Sequence, residues 1–226
     1  MKRKTPFILL LTFLLSVKIA LFAEEDKYVK LGNKVSISSE NDSWIRVSIP
    51  FNILNHPGLE QFRTRRPSTV EELFNPEYID DLKVKIFLCF TNEFKKKTLR
   101  SSQFPDSNFY QYYSAELTYE TIKLDRNTKY ANFLFPAAIA ERDGFSGGYI
   151  KPTGYAIEIS IGGRSMDISN AIVFDKFNND EATLLKFKQQ AQEKSSANTN
   201  TLVPAHYIFP AYHLKDAKLK AFSPNN

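Results

Sequence analysis

One cysteine, one tryptophan and three histidines in 226 residues leave little material for several kinds of chemistry. A lone Cys89 cannot close an internal disulfide, and a thiol inside the strand-like run Val84 to Phe90 reads as a small packed hydrophobe, with an intermolecular bridge or a reactive thiol as the other uses. His206 and His213 are seven apart in a proline-broken segment. That is neither the i, i+2 of a strand nor the i, i+4 of a helix, either of which would aim both at one metal. His56 sits in a turn before Pro57. The chain also lacks a phosphate loop, a dinucleotide fingerprint, a calcium loop and any internal repeat.

Gly144-Phe145-Ser146-Gly147-Gly148 matches the letters G-x-S-x-G. That chemistry needs the serine on a turn between a buried strand and a helix. Here Glu141-Arg142-Asp143 precedes it and a proline-interrupted strand, Tyr149 to Ile161, follows, so a hairpin connection explains the glycines. The adjacent acids Glu71-Glu72, Asp80-Asp81 and Asp180-Glu181 do not face each other across a cleft as glycoside hydrolysis requires. The expectation is a protein that is not an enzyme, with no catalytic residue, no metal and no cofactor.

A surplus of positive charge is lacking as well, once its place is considered. Lys2-Arg3-Lys4, an apolar stretch from Pro6 to Leu15, Lys18 and then Ile19 to Ala23 before Glu24-Glu25-Asp26 have the pattern of a secretory signal peptide over residues 1–23. The stretch is short of the roughly 20 apolar residues of a membrane span; an uncleaved anchor is the other reading. Four of the 30 basic residues and none of the 25 acidic ones lie in it, so 26 face 25 beyond it and the net charge falls from +5 to +1. Nucleic acid is therefore not an expected partner. Arg63, Arg65 and Arg66 with Lys95 to Lys97 form either a positive rim or, more simply, a solvated face.

What is abundant is apolar alternation. Ile45, Val47, Ile49 and Phe51 share one face of a strand, Val84, Ile86, Leu88 and Phe90 of a second, and Tyr155, Ile157, Ile159 and Ile161 of a third. Further strands are expected at 28–31, 34–38, 114–124, 130–135 and 165–174. Gly162-Gly163 would close a hairpin between 155–161 and 164–174, and a bulge near Ser169-Asn170 would restore phase. Two long connections, 56–76 and 95–108, separate strands, the first with a helical turn at 70–74. One helix is expected from Glu181 to Glu193, capped by Asn179 or Asp180, with Leu184, Leu185, Lys188 and Ala191 as its apolar stripe.

This predicts a mainly β chain, an antiparallel immunoglobulin-like β-sandwich with one C-terminal helix and an extended tail. The organisation is signal peptide 1–23, sandwich 24–176, helix 177–194, then linker and apolar arm 195–226. The linker, Ser195 to Thr201, is too polar to pack by composition. The arm, Leu202 to Leu214, carries prolines that bar it from the middle of a sheet, and would dock on its own sandwich or on another protein. Tyrosine rings suit interfaces, where the ring is dry and the hydroxyl wet. Tyr110, Tyr112 and Tyr113, with Tyr207, Phe209 and Tyr212 of the arm, are the candidate partner-binding residues. The first three, with Trp44, would equally suit sugar stacking, and the same run reads as well as a strand entering the core with one wet tyrosine.

At Trp44-Ile45-Arg46-Val47-Ser48-Ile49-Pro50-Phe51, followed by Tyr78-Ile79-Asp80-Asp81-Leu82-Lys83-Val84-Lys85-Ile86-Phe87-Leu88, the chain resembles the secreted immunoglobulin-like proteins encoded beside type IV pilus-like genes in Verrucomicrobia. The resemblance implies a β-sandwich in the periplasm, or secreted and outer-membrane-associated, working with pilus-like or secretin components and without catalytic residues. The resulting expectation is a secreted protein-interaction module of a cell-envelope assembly, with no membrane span once the leader is cleaved. A carbohydrate-binding module using exposed tyrosines is the alternative.

Overall fold

A computed structural model describes residues 26–99, 103–145, 150–174 and 180–222. The expected leader and Ser146 lie outside the described residues. Among the described residues, no helix is long and apolar enough to cross a membrane. The strands are β1 (Val29–Leu31), β2 (Ser36–Ser39), β3 (Trp44–Ile53), β4 (Tyr78–Thr91), β5 (Tyr110–Lys123) and β6 (Lys129–Pro136). After them come β7 (Gly154–Ile161), β8 (Arg164–Ser165), β9 (Ile172–Phe174), β10 (Val203–Pro204) and β11 (Ala217–Leu219). The helices are α1 (Glu93–Thr98), α2 (Ala137–Asp143) and α3 (Glu181–Lys194).

These strands form two antiparallel sheets. In the first, β1 and β2 lie end to end along one side of β3, and β6 and then β10 follow on its other side. In the second, the order is β11-β5-β4-β7, with β8 and β9 both beyond β7. Alternation decides which side chains meet between the sheets. Val47, Ile49, Phe51 and Phe133 from one sheet share a core with Val84, Ile86, Leu88, Leu117 and Ile157 from the other. Aromatic contacts cross the gap: Phe51 to Tyr119 at 5.9 Å between ring centroids, and Tyr113 to Phe135 at 4.8 Å.

One end of the second sheet is buried on its other face too. Phe87 and Cys89 alternate with the core residues of β4 and point outward, where Tyr112, Ala156 and Phe174 join them under Phe187 and Ala191 of α3. Cys89 is fully buried there, as a packed strand cysteine should be. The apolar stripe of α3 is Leu184, Phe187 and Ala191, the spacing of one helical face, while Leu185 is 49% exposed. This corrects the expected stripe, which held Leu185 and Lys188 and omitted Phe187. Asp180 caps the helix by accepting the Thr183 N–H at 2.8 Å. The close approach of α3 also explains Gly154: a Cβ there would sit 2.8 Å from the Val173 carbonyl and 2.9 Å from Phe187.

Gly162 and Gly163 have φ of 55° and 76° and close the β7–β8 hairpin as their sequence implies. The single bulge expected near Ser169-Asn170 is larger than foreseen. The chain leaves β7 over residues 167–170, between the Met166 N–H that donates to Ile159 O and the Ala171 carbonyl that accepts from Ile157, with Asn170 at φ 56°, and β9 follows. Residues 137–143, where the sequence carries no sign of a helix, form α2, and Gly144 ends it at φ 75°. The G-x-S-x-G letters therefore begin at a helix end, the reverse of a strand-to-helix elbow.

The C-terminal segment corrects a further expectation. Ser195–Asn198 continues α3 as a 3-10 turn, with Ser195 buried, instead of forming a solvated linker. Its polar side chains bond nearby backbone: Ser195 Oγ donates to Gln192 O at 3.3 Å and Asn198 Nδ2 to Tyr112 O at 2.8 Å. The arm then docks on its own sandwich. Leu202 and Ala205 are buried, β10 pairs with the β6 edge through Val203 and Pro204, and β11 pairs with the β5 edge. Pro204 lies in an edge strand, where its missing N–H is tolerated.

Candidate functional site

The six aromatic candidates do not form one surface. Tyr113 is a core residue, 1% exposed, wedged against Phe135 and Phe90, with its hydroxyl donating to Gln111 Oε1 at 3.0 Å. Tyr112 is 2% exposed beneath α3, 6.2 Å from the Phe187 ring, with Lys194 Nζ over its face. Burial pushes the phenol pKa of both up. Neither ring is free to stack on a sugar or a partner, which corrects their selection as binding residues. Tyr110 is half-buried edge-on to Phe174 and Tyr112. The sequence carries a signal of this burial. Phe87 and Cys89 make β4 apolar on both faces, so something had to cover the outer one.

The arm residues separate too. Tyr212 lies on the outer face of the first sheet, its hydroxyl accepting from Arg46 Nη1 at 3.2 Å, while Arg46 also pairs with Glu40 at 3.3 Å. Phe209 packs 6.4 Å from Tyr212. Tyr207 lies on another side, edge-on to Phe222 at 5.2 Å.

Tyr207 and Phe222 mark one opening, a groove of about 650 Å³. It runs between the β5 edge of one sheet and β10 of the other. Its floor is the stretch Ser114 to Thr118, and its walls are Leu202 to Pro204, Tyr207 and Ile208 together with Lys220 to Phe222, the two segments meeting where Tyr207 lies edge-on to Phe222. Ile208 and Phe222 are 44% and 66% exposed at its rim.

The β5 edge in this floor is bonded at both ends and open between. Thr118 O accepts the Lys220 N–H at 2.9 Å, and Tyr112 O accepts Asn198 Nδ2. On the partner strand, Cys89 O accepts from Thr153 on the β7 side, so the Cys89–Tyr112 pair is of the type that does not exchange backbone bonds. The register is regular from Tyr110 to Tyr119. Ser114 and Glu116 share the phase of Tyr112 and Thr118, so their N–H and C=O groups also point into the groove. Among the described residues, no bond reaches those four groups.

A second opening, about 380 Å³, lies at the opposite side of the sandwich between β1–β2 and β7–β9, over Ile49 and Ile157 with Lys34 at its mouth. The basic residues expected as a rim are partly neutralised. Arg65 makes two 2.9 Å bonds to Glu72, which first through that guanidinium and then through the Ser68 N–H is held at a pKa of about 2. Lys96 pairs with Asp106 at 2.8 Å.

His56 accepts the Gly58 N–H at 2.9 Å and stacks on Phe74, a turn role. His206 and His213, judged by spacing not to converge, have ring centroids 5.4 Å apart, because 3-10 turns at Ala205–Tyr207 and Pro210–Tyr212 fold the arm back. Among the described residues, no group of three or more histidine, cysteine or acidic side chains is placed to hold a metal. His206 is instead a latch, buried, with Nε2 3.0 Å from the Lys220 carbonyl across the groove wall.

Burial lowers the His206 pKa, outweighing the Lys220 carbonyl, which acts the other way; His213 adds to the lowering. With the folded value below the 6.5 of an open chain, its stabilising contribution is complete above about 6.5 and is lost as pH falls through the folded value. Melting at pH 7.5 and pH 5 checks this. His206→Gln should shrink the loss of melting temperature on acidification, because the lowered pKa is the source of that part of the loss. His56, whose pKa burial also lowers, should account for part of what remains.

Comparison with protein-family models, curated proteins and solved structures gives no match to this chain.

Proposed function

We propose that the chain is a secreted, non-enzymatic, immunoglobulin-like module that binds a protein partner within a cell-envelope assembly. Three kinds of support converge. The strand order β1/β2-β3-β6 facing β5-β4-β7-β8/β9 suits an immunoglobulin-like sandwich. The basic and then apolar first 23 residues suit export. The resemblance to proteins encoded beside pilus-like genes suggests pilus-like or secretin components as partners, in the periplasm or at the outer membrane.

The observation that carries the reading is the groove. A sandwich that used its arm only for stability would cover the β5 edge, and here the arm frames the edge and leaves it open. Exposed edges of this kind are what strand-adding partners use. The carbohydrate alternative loses its platform with the burial of Tyr112 and Tyr113.

A photo-crosslinking residue at Ile208, in the full chain expressed with its leader in a cell envelope, tests this. The expected product is a protein adduct formed from Ile208 and not from the equally exposed Leu185 of α3, on a chain protected from added protease until the outer membrane is opened. A chain retained in the cytosol, or adducts without preference between the two positions, overturns the reading.

A further inference from the structure

We infer that the groove holds a single extended peptide segment, added to the Ser114–Thr118 edge of β5. Its apolar side chains alternate into the gap between the sheets, and an acidic one lies outward. This rests on the interaction-module reading and names what such a module would grip. From Tyr112 to Thr118 the edge spans about 20 Å at about 3.4 Å per residue. It offers two donors and two acceptors on alternate residues, the repeat of a polypeptide strand and of no small solute.

The walls decide the rest. On the inward side of the edge, Ala115 leaves space that Leu202, Pro204 and Tyr207 line with apolar surface. Every second side chain of an added strand would enter that space, and the others would emerge beside Glu116, Lys85 and Lys220. Among the described residues, Lys85 and Lys220 form no ion pair. Two ammonium groups against one carboxylate favour an acidic residue there. A second copy of this chain fits poorly, because its own β5 edge is recessed behind the same two walls and two recessed edges cannot meet.

The probe is a capped peptide of about seven residues, alternating valine with threonine, one central threonine being replaced by aspartate; a lysine counterpart and a version with a central proline complete the set. Amide hydrogen exchange in the isotopically labelled full chain is the readout. With the aspartate peptide at saturation, the Ser114 and Glu116 amides should slow about ten-fold or more. The lysine peptide should bind several-fold more weakly, with the gap closing as salt rises, and the proline version should give no protection. Ile208→Asp, at an exposed rim position, should leave melting unchanged and weaken peptide binding about ten-fold.

Binding without protection of Ser114 and Glu116, or no binding, overturns the inference. So does protection already present without peptide, which would mean that the chain's own tail or, if concentration-dependent, a second copy covers the edge. If the Ile208 crosslink to an envelope protein persists in those cases, the interaction-module reading stands and only the peptide assignment falls.

Discussion

Tyr113→Ala is expected to cost about 3–5 kcal/mol of stability, enough to leave much of the protein unfolded at physiological temperature. The ring is 1% exposed and packed against Phe135 and Phe90 between the sheets, with Phe145 stacked on Phe90 at 4.4 Å behind it. Removing it opens a cavity among large rings on two other strands and a loop, and neither strand can close into the space without moving a sheet. Thermal unfolding by circular dichroism measures the loss. Tyr112→Ala should cost somewhat less, because α3 can settle partway onto the gap, and Tyr110→Ala least, its ring being only half-buried. If Tyr113→Ala melted like the wild type, the ring would lie on the surface and the sugar-stacking alternative would regain its platform.

Deletion of residues 195–226 is the second large effect. On sequence, this stretch reads as a linker and arm whose loss spares the fold and weakens only partner binding. The structure reverses that expectation. Leu202 and Leu219 belong to the main core, Ala205 is fully buried, and β10 and β11 cap one edge of each sheet. Burying a leucine contributes about 1.5–3 kcal/mol, so losing both, along with Ala205, removes a large share of a typical domain's stability. The deletion also bares the β6 edge and the whole β5 edge, each an invitation to pair with another chain. The expected product is insoluble, or a soluble oligomer by light scattering. A monomeric, folded product at unchanged melting temperature would show that the arm contributes nothing to the sandwich.

Much of the fold was legible because strands write their burial into a period of two. The runs 44–51, 84–90 and 155–161 needed no tertiary information to be recognised, and Gly162-Gly163 announced its hairpin because few other residues adopt positive φ there. The misreadings share one cause: they turned on what covers a surface. Tyr112 looked available because nothing local says that α3 crosses above it. Ser195 to Thr201 looked solvated because a composition rule cannot see that Asn198 meets an open carbonyl on β5. His206 and His213 looked divergent because spacing rules assume one regular element, and two short turns intervene.

The sequence alone determined the alternating strands, the burial of Cys89 and the presence of one long C-terminal helix. These follow from side-chain pattern and residue count, which are local properties. Only the tertiary structure decided that one end of the second sheet is covered on both faces, that the arm folds back onto its own sandwich, and that Ser114 and Glu116 are left facing a groove. Those outcomes depend on which distant segments come to lie together, and backbone bonding at an edge is set by the neighbour that arrives or fails to arrive.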